Sequence, residues 1–403
     1  MKMFRNRIIL LMAVAIQNVA LAVQVETLVD FNSMNGDAPE AGLVRDIQGN
    51  FYGTTYIGGF NDDGTVFRLT PPKGQTTWSL TTLLDFNNTN GARPSSNLIR
   101  DTKGNLYGTT TQGGAHNLGV VFKLSPPPKG QIAWTQTTLQ EFNGTNGAYP
   151  SANLIRDVKG NLYGTIGKGG SYIFFKLSPP PKGQTTWTLT TLLDFNGTNG
   201  TNPIANLIRD AKGNLYGTTR QGGAYSAGTF FKLSPPSKGK TTWTKTTLLD
   251  FNGTNGASPY ANLIRDAKGN LYGTTRQGGA YSAGTFFKLS PPSKGKTTWT
   301  QTVLLDFNDM NGANPPATLI RDTKGNLYGT SYWGGAHNVG VVFKLSPPPK
   351  GHIAWTQTTL LEFNGTNGTY PSANLIRDTK GNLYGTTQRG GANDRGVVFK
   401  ITP

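Results

Sequence analysis

Six side chains able to bind a ligand interrupt a chain that otherwise repeats itself: Tyr56, His116, Tyr225, Tyr281, Trp333 and His337. Trp333 directly precedes a Gly-Gly pair, and Tyr56 sits nearby in the first copy of the repeat. His116 and His337 occupy matching loop positions, where Tyr225 and Tyr281 stand in two other copies. An aromatic ring beside amides and hydroxyls offers a sugar both an apolar face to stack on and hydrogen bonds. Loops such as Asn196-Gly197-Thr198-Asn199-Gly200 and Gln221-Gly222-Gly223-Ala224-Tyr225-Ser226 supply those polar groups. The competing reading is turn chemistry, because Asn and Gly tolerate positive φ and exposed loops vary freely.

A second set of candidates is cationic. Six lysines recur in one kind of turn (Lys103, Lys159, Lys212, Lys268, Lys324, Lys380) and eight in another (Lys73, Lys129, Lys182, Lys238, Lys240, Lys294, Lys296, Lys350). The formal net charge is +17, of which three charges belong to Lys2, Arg5 and Arg7 near the start. A ring of like charge on one face attracts anionic polysaccharide, lipopolysaccharide or nucleic acid in a salt-dependent way. Nucleic acid is disfavoured, since that face lacks interleaved aromatics. The competing reading is a solvated surface, where lysine normally sits.

Catalytic chemistry finds little footing. There is no cysteine, hence no disulfide, thiolate ligand or Cys nucleophile. His116, His337 and His352 fall at no metal-ligand spacing, and Asp62-Asp63-Gly64 is acidic but isolated. No nucleophile elbow or phosphate loop is present. The sequence therefore predicts no catalytic residue, no metal, no cofactor and no enzyme; a hydrolase or lyase with residues at a channel mouth is the weaker alternative.

The elements that position these groups come from the period. Tyr52, Tyr107, Tyr163, Tyr216, Tyr272, Tyr328 and Tyr384 each stand in a Leu-Tyr-Gly-Thr phrase or a close variant, 53 to 56 residues apart. Such a period means stacked copies of one supersecondary unit. In the third copy, 153–157 reads as a short first strand and Asp157-Val158-Lys159-Gly160 as a hairpin turn. Residues 161–165 read as a second strand, and Gly169-Gly170 leads to a third at 173–178. Three prolines then force a turn before a fourth strand from Trp187 to Phe195, whose Trp187, Leu189, Thr191, Leu193 and Phe195 alternate onto one side. Four antiparallel strands per unit make the blade of a β-propeller.

Seven phenylalanines close the fourth strands (Phe31, Phe86, Phe142, Phe195, Phe251, Phe307, Phe363). The first of these strands, 25–31, precedes any first strand, and the last copy stops after its third strand at 397–402. The fold predicted is all-β, a seven-bladed β-propeller of four-stranded blades. The N-terminal strand completes the last blade as its outer strand, which removes the free edge of a linear array. Six tryptophans at fourth-strand starts (Trp78, Trp134, Trp187, Trp243, Trp299, Trp355) read as blade-to-blade packing. The Arg-Asp pairs from Arg45-Asp46 to Arg377-Asp378 read as structural.

Residues 1–22 have a secretory layout, basic Lys2, Arg5 and Arg7 before an apolar run at 8–16 and Ala20-Leu21-Ala22 before Val23. Cleavage after Ala22 is expected, leaving 23–403 as one propeller of seven repeats of about 55 residues. The run is too short to span a bilayer, so a secreted, periplasmic or cell-surface monomer is expected. In Leu-Ile-Arg-Asp, Gly-Asn-Leu-Tyr-Gly-Thr, Gly-Gly-Ala and Val-Val-Phe-Lys-Leu the chain resembles the Gloeo-Verruco (GloVer) tandem repeat family of secreted bacterial proteins, over essentially all of 25–403. The resemblance implies export and a propeller-like array. It brings no established activity, so no functional residue carries over. Together these readings predict a binding or scaffold propeller for a glycan or cell-surface polymer, with electrostatic attachment to an anionic surface as the alternative.

Overall fold

The computed structural model describes residues 23–402 other than 73, 75–76, 169–170, 196, 198–199, 204–206, 238–241 and 353. The expected leader at 1–22, the loop residues Asn196, Thr198 and Asn199, the Gly169-Gly170 pair, and Lys73, Lys238 and Lys240 lie outside the described residues. Seven antiparallel sheets form a seven-bladed β-propeller. In the second blade the strands are Ile99–Arg100, Leu106–Thr110, Val120–Ser125 and Thr135–Glu141, running from the central channel outward. Closure is as the sequence predicts. Gln24–Asp30 pairs antiparallel with Val397–Thr402 and becomes the outer strand of the seventh blade.

Several details differ from the sequence expectation, the second and third strands of the third blade running longer, as Leu162–Lys168 and Ser171–Ser178. The first strand of the third blade shrinks from 153–157 to Ile155–Arg156, with Asp157 taken into the hairpin turn, where its N donates to Asn161 O at 3.0 Å and its O accepts from Gly160 N at 3.0 Å. The fifth blade gains a short strand, Ala257–Pro259, on Leu271–Gln277. The fourth strand does not alternate throughout. Its register against Ser171–Ser178 skips Leu192, so Thr191 is exposed while Leu192 and Leu193 are half-buried. A β-bulge of this kind re-aims the side chains beyond it.

The bulge recurs in every outer strand and explains how blades meet. There is no central core. Seven apolar clusters fill the seven contacts between consecutive blades, the last-to-first contact included. Ahead of the bulge, the tryptophan packs on the preceding blade: Trp134 on Tyr52 at 6.1 Å, and Trp299 on Phe230 at 5.1 Å. Beyond it, the bulged Leu and the terminal Phe turn to the following blade, as Leu139 and Phe142 do against Ile173 and Phe175. One outer strand thus serves two interfaces.

A polar stitch runs beneath the apolar one. Asp46 accepts hydrogen bonds from Asn50 N at 2.9 Å, Asn50 Nδ2 at 2.8 Å and the Tyr52 hydroxyl at 3.0 Å. The other six copies repeat this. Burial works against the Asp46 charge, yet those hydrogen bonds and the facing Arg100 of the next blade outweigh it and lower its pKa. The same burial, with the Asp46 bond and charge, pushes Tyr52 up to about 12. The Asp and Arg of the repeated pair thus join neighbouring blades.

Glycine in the second strand is a packing requirement. A Cβ on Gly53 would lie 2.6 Å from Phe67 Cζ and 2.9 Å from Leu43 Cδ2, so the ring occupies the space a side chain would take. Gly53→Ala is expected to destabilise the fold by ~1–3 kcal/mol through overpacking, as read by thermal or denaturant unfolding. An unchanged midpoint would show that the ring is not held there. The pH limits follow by sign. The aspartates are lowered in the fold, so their contribution is full above the ordinary value of 3.8 and lost as pH falls below it. The tyrosines are raised, so their contribution is full below 10.0 and lost as pH climbs toward about 12. Alkaline unfolding followed by tyrosinate absorbance should therefore begin above 10.0; tyrosines titrating at the ordinary value in the folded protein would contradict this.

Candidate functional site

One end of the channel carries the loops that enter each inner strand and the loops between second and third strands. At this end the residue just before the inner strand's Leu ties blade to blade at four junctions among the described residues. Gly42 N donates to Asn97 Oδ1 at 2.6 Å, Asn97 N to Asn153 Oδ1, Asn262 N to Thr318 Oγ1 at 3.2 Å, and Thr318 N to Asn374 Oδ1 at 2.7 Å. The result is a polar belt along much of the channel. Above it opens a cavity of about 380 Å³, within the size range of small-ligand sites.

The residues that face this cavity are unlike one another, in contrast to the strands below. Two columns of the repeat supply most of them. Two places before the belt residue, the residue directly following Pro reads Glu40, Ser95, Ser151, Tyr260, Pro316 and Ser372 in the described copies. Four places after the second-strand tyrosine stand Tyr56, Thr111, Gly167, Arg220, Arg276, Tyr332 and Gln388, of which Arg276, Tyr332 and Gln388 line the cavity. Blades two and three present small polar groups, blade five Tyr260 and Arg276, blade six Tyr332 and Trp333, and blade seven Ser372 and Gln388.

The rings and polar groups on that side are interlocked. Tyr332 stacks on Tyr370 at 5.1 Å between centroids and 21° between planes, and Trp333 meets Tyr370 edge-on at 4.8 Å. The Tyr332 hydroxyl donates to Gln388 Oε1 at 2.9 Å, Gln388 Nε2 to Ser372 Oγ at 3.1 Å, and Ser372 Oγ to the Glu40 carbonyl at 3.3 Å. Arg276 lies on Tyr260 and donates through Nε to Asn314 Oδ1. Burial pushes the Glu40 carboxyl up to about 6, against the pull of Arg389.

Of the six side chains singled out from sequence, only Trp333 lines the mouth. Tyr56 stands in the same column as Tyr332 but lies under Arg93 at 5.8 Å, away from the cavity lining. Tyr225 and Tyr281, each 64% exposed, together with His116 and His337, ride on loops anchored to outer strands. Ala224 N donates to Asp250 Oδ1 and Ala336 N to Glu362 Oε2, which holds these loops at the blade rims. They do not converge. The Asn-rich loops are also largely self-satisfied, for Asn32 and Asn35 each accept the other's backbone N–H at 3.0 Å. The described turn lysines, including Lys129, Lys182, Lys294 and Lys350, are all exposed on the opposite face. Among the described residues there is no cluster of three His, Asp or Glu able to hold a metal ion. No described helix is long and apolar enough to cross a membrane. Sequence reasoning missed Glu40, Tyr260, Arg276, Tyr332 and Gln388; aligning the seven copies column by column exposes them as the positions least alike.

The Gloeobacter/Verrucomicrobia repeat family matches residues 15–178, 173–300 and 294–403. No curated protein matches the chain. Among solved structures the fold is similar to the extracellular domain of a one-component system from B. thetaiotaomicron, with a TM-score of 0.54 at 14% identity over 94% of this chain. This chain spans 42% of that structure's length. It also aligns with the PQQ-bound aldose sugar dehydrogenase of Streptomyces coelicolor at a TM-score of 0.45 and 11% identity, over 94% of this chain and 98% of that one.

The raised Glu40 gives a test of the mouth's burial. Its folded value lies above its ordinary 4.5, so its contribution to stability is full below 4.5 and lost as pH rises through about 6. Glu40→Gln should raise the melting temperature at neutral pH and leave it unchanged near pH 4.5. An equal effect at both pH values would mean that Glu40 is solvated like any surface carboxylate.

Proposed function

The chain belongs to the Gloeobacter/Verrucomicrobia repeat family, and from that premise we propose an exported, non-enzymatic binding propeller that takes a saccharide at the mouth of its channel. The observation that carries this reading is convergence. Among the described residues, six of the seven repeated blades bring residues to one cavity of about 380 Å³. There Trp333, 38% exposed, offers a stacking face beside the amides of the polar belt. Sugar recognition needs this combination of a flat apolar surface and fixed hydrogen-bonding groups. The secretory layout of 1–22 supports export, and an extracellular domain uses a similar fold. The ligand is then a glycan or cell-surface polymer outside the cell.

A second reading is favoured by the opposite face, where the described turn lysines stand exposed in a ring. That ring suits attachment to an anionic polymer or surface, weakening as salt rises. The two readings are compatible, because the two faces are separate.

A glycan array with purified protein tests the first reading, with Trp333→Ala and Tyr225→Ala as paired variants. Trp333→Ala should weaken binding about tenfold, or roughly 1.4 kcal/mol, while Tyr225→Ala leaves it unchanged. No binding by the parent protein, or equal losses in both variants, would remove the mouth as the site.

A further inference from the structure

We propose that Arg220 and Arg276 form a carboxylate clamp, so that the saccharide taken at the mouth is an acidic one, carrying uronate groups; this rests on the saccharide reading above. The two arginines occupy the same column in adjacent blades and share one ring; Arg276 lines the cavity, and Arg220 stands outside that lining, on the Tyr260 ring. Arg276 Cζ lies 4.7 Å from the Tyr260 centroid and Arg220 Cζ 6.0 Å from it. Neither forms an ion pair among the described residues. Arg220 Nε is buried without a hydrogen-bond partner, and Arg276 commits its Nε to Asn314, leaving the outer nitrogens of its fork for a ligand.

Two guanidinium groups held together without an acid oppose each other. Burial, and Arg220 beside it, lower the Arg276 pKa, with Tyr260 and Tyr332 acting the other way. A carboxylate between them removes that repulsion and takes the planar, bidentate geometry that arginine favours. The same molecule shows what paired arginines hold when an acid is present. The buried Asp37 carboxylate receives Arg395 at 2.7 Å and Arg389 at 3.5 Å. At blades four and five the two arginines are in place and the acid is not. Trp333 and Tyr332, from the next blade, give the sugar ring a surface next to the clamp.

The copies at 207–251 and 263–307 are nearly identical, and each carries the arginine. Just ahead of them the residue after the entry proline differs, Ile204 before one copy and Tyr260 before the other. The tyrosine thus distinguishes one blade from its near-copy at the point where both guanidinium groups rest.

The test is calorimetric titration of the full chain with oligogalacturonate, its methyl ester and polyglutamate of matched length. The acid should bind about tenfold or more tightly than the ester, and polyglutamate should bind no better than the ester. The double variant Arg220→Gln, Arg276→Gln should bind acid and ester alike at an unchanged melting temperature. Tyr260→Ile, which installs the sister copy's residue, should narrow the same preference and serves if the double variant fails to fold. Replacing Lys129, Lys182 and Lys350 by Gln should leave the preference intact. Acid and ester binding equally well to the parent protein would overturn the clamp and leave the saccharide reading standing, as would a preference that survives loss of both arginines. Polyglutamate binding as tightly as oligogalacturonate would overturn the acidic-saccharide assignment. Absence of binding to both saccharides would remove this inference and the saccharide reading together.

Discussion

The contact between one blade and the next determines this molecule. Each sheet buries both faces against its neighbours, and the only place to bury the faces of the first and last sheets is against each other. The outer strand makes this possible with one inserted leucine, which sends the tryptophan to the preceding blade and the phenylalanine to the following one. Strand pairing of Gln24–Asp30 with Val397–Thr402 then locks the circle. With the circle closed, seven equivalent loops aim at one axis.

That geometry decides where the chain can be particular. A residue repeated in every blade serves the contacts between blades, as the Asp46–Tyr52 pair and its facing Arg100 do. A change in such a residue disturbs two interfaces at once. Positions just before the inner strand and just after the second strand touch the axis without supporting the blades, so they are free to differ. Glu40, Tyr260, Arg276, Tyr332 and Gln388 occupy those positions. The molecule separates its charges in the same way, with lysine on one face and the arginine-tyrosine crescent within the other.

Much of the architecture was legible from residues alone. The period, the alternation, the proline turns and the unpaired strands at each end gave blade count and closure, because strand pairing and edge removal are strong constraints. The tryptophans were read correctly as packing. The bulge was not legible, since Leu192 continues an apolar run and nothing in its type marks it as the inserted residue. The site was legible only in part. Tyr225 and His116 looked promising for their chemistry, but spacing along the chain carries no radial information, and the backbone bond from Ala224 to Asp250 swings that loop to the rim. Trp333 was found because it is aromatic. Arg220 and Arg276 were passed over because duplication made them look like repeat.

The claim on which the functional account turns is that ligand enters the channel mouth and meets blades four to six. A crystal structure of the full chain with oligogalacturonate tests this directly. The account requires a sugar ring against Trp333 and a carboxylate within hydrogen-bonding distance of Arg220 and Arg276. Saccharide density confined to the lysine-bearing face or to the rim loops of Tyr225 and Tyr281, with the mouth left to solvent, would contradict it.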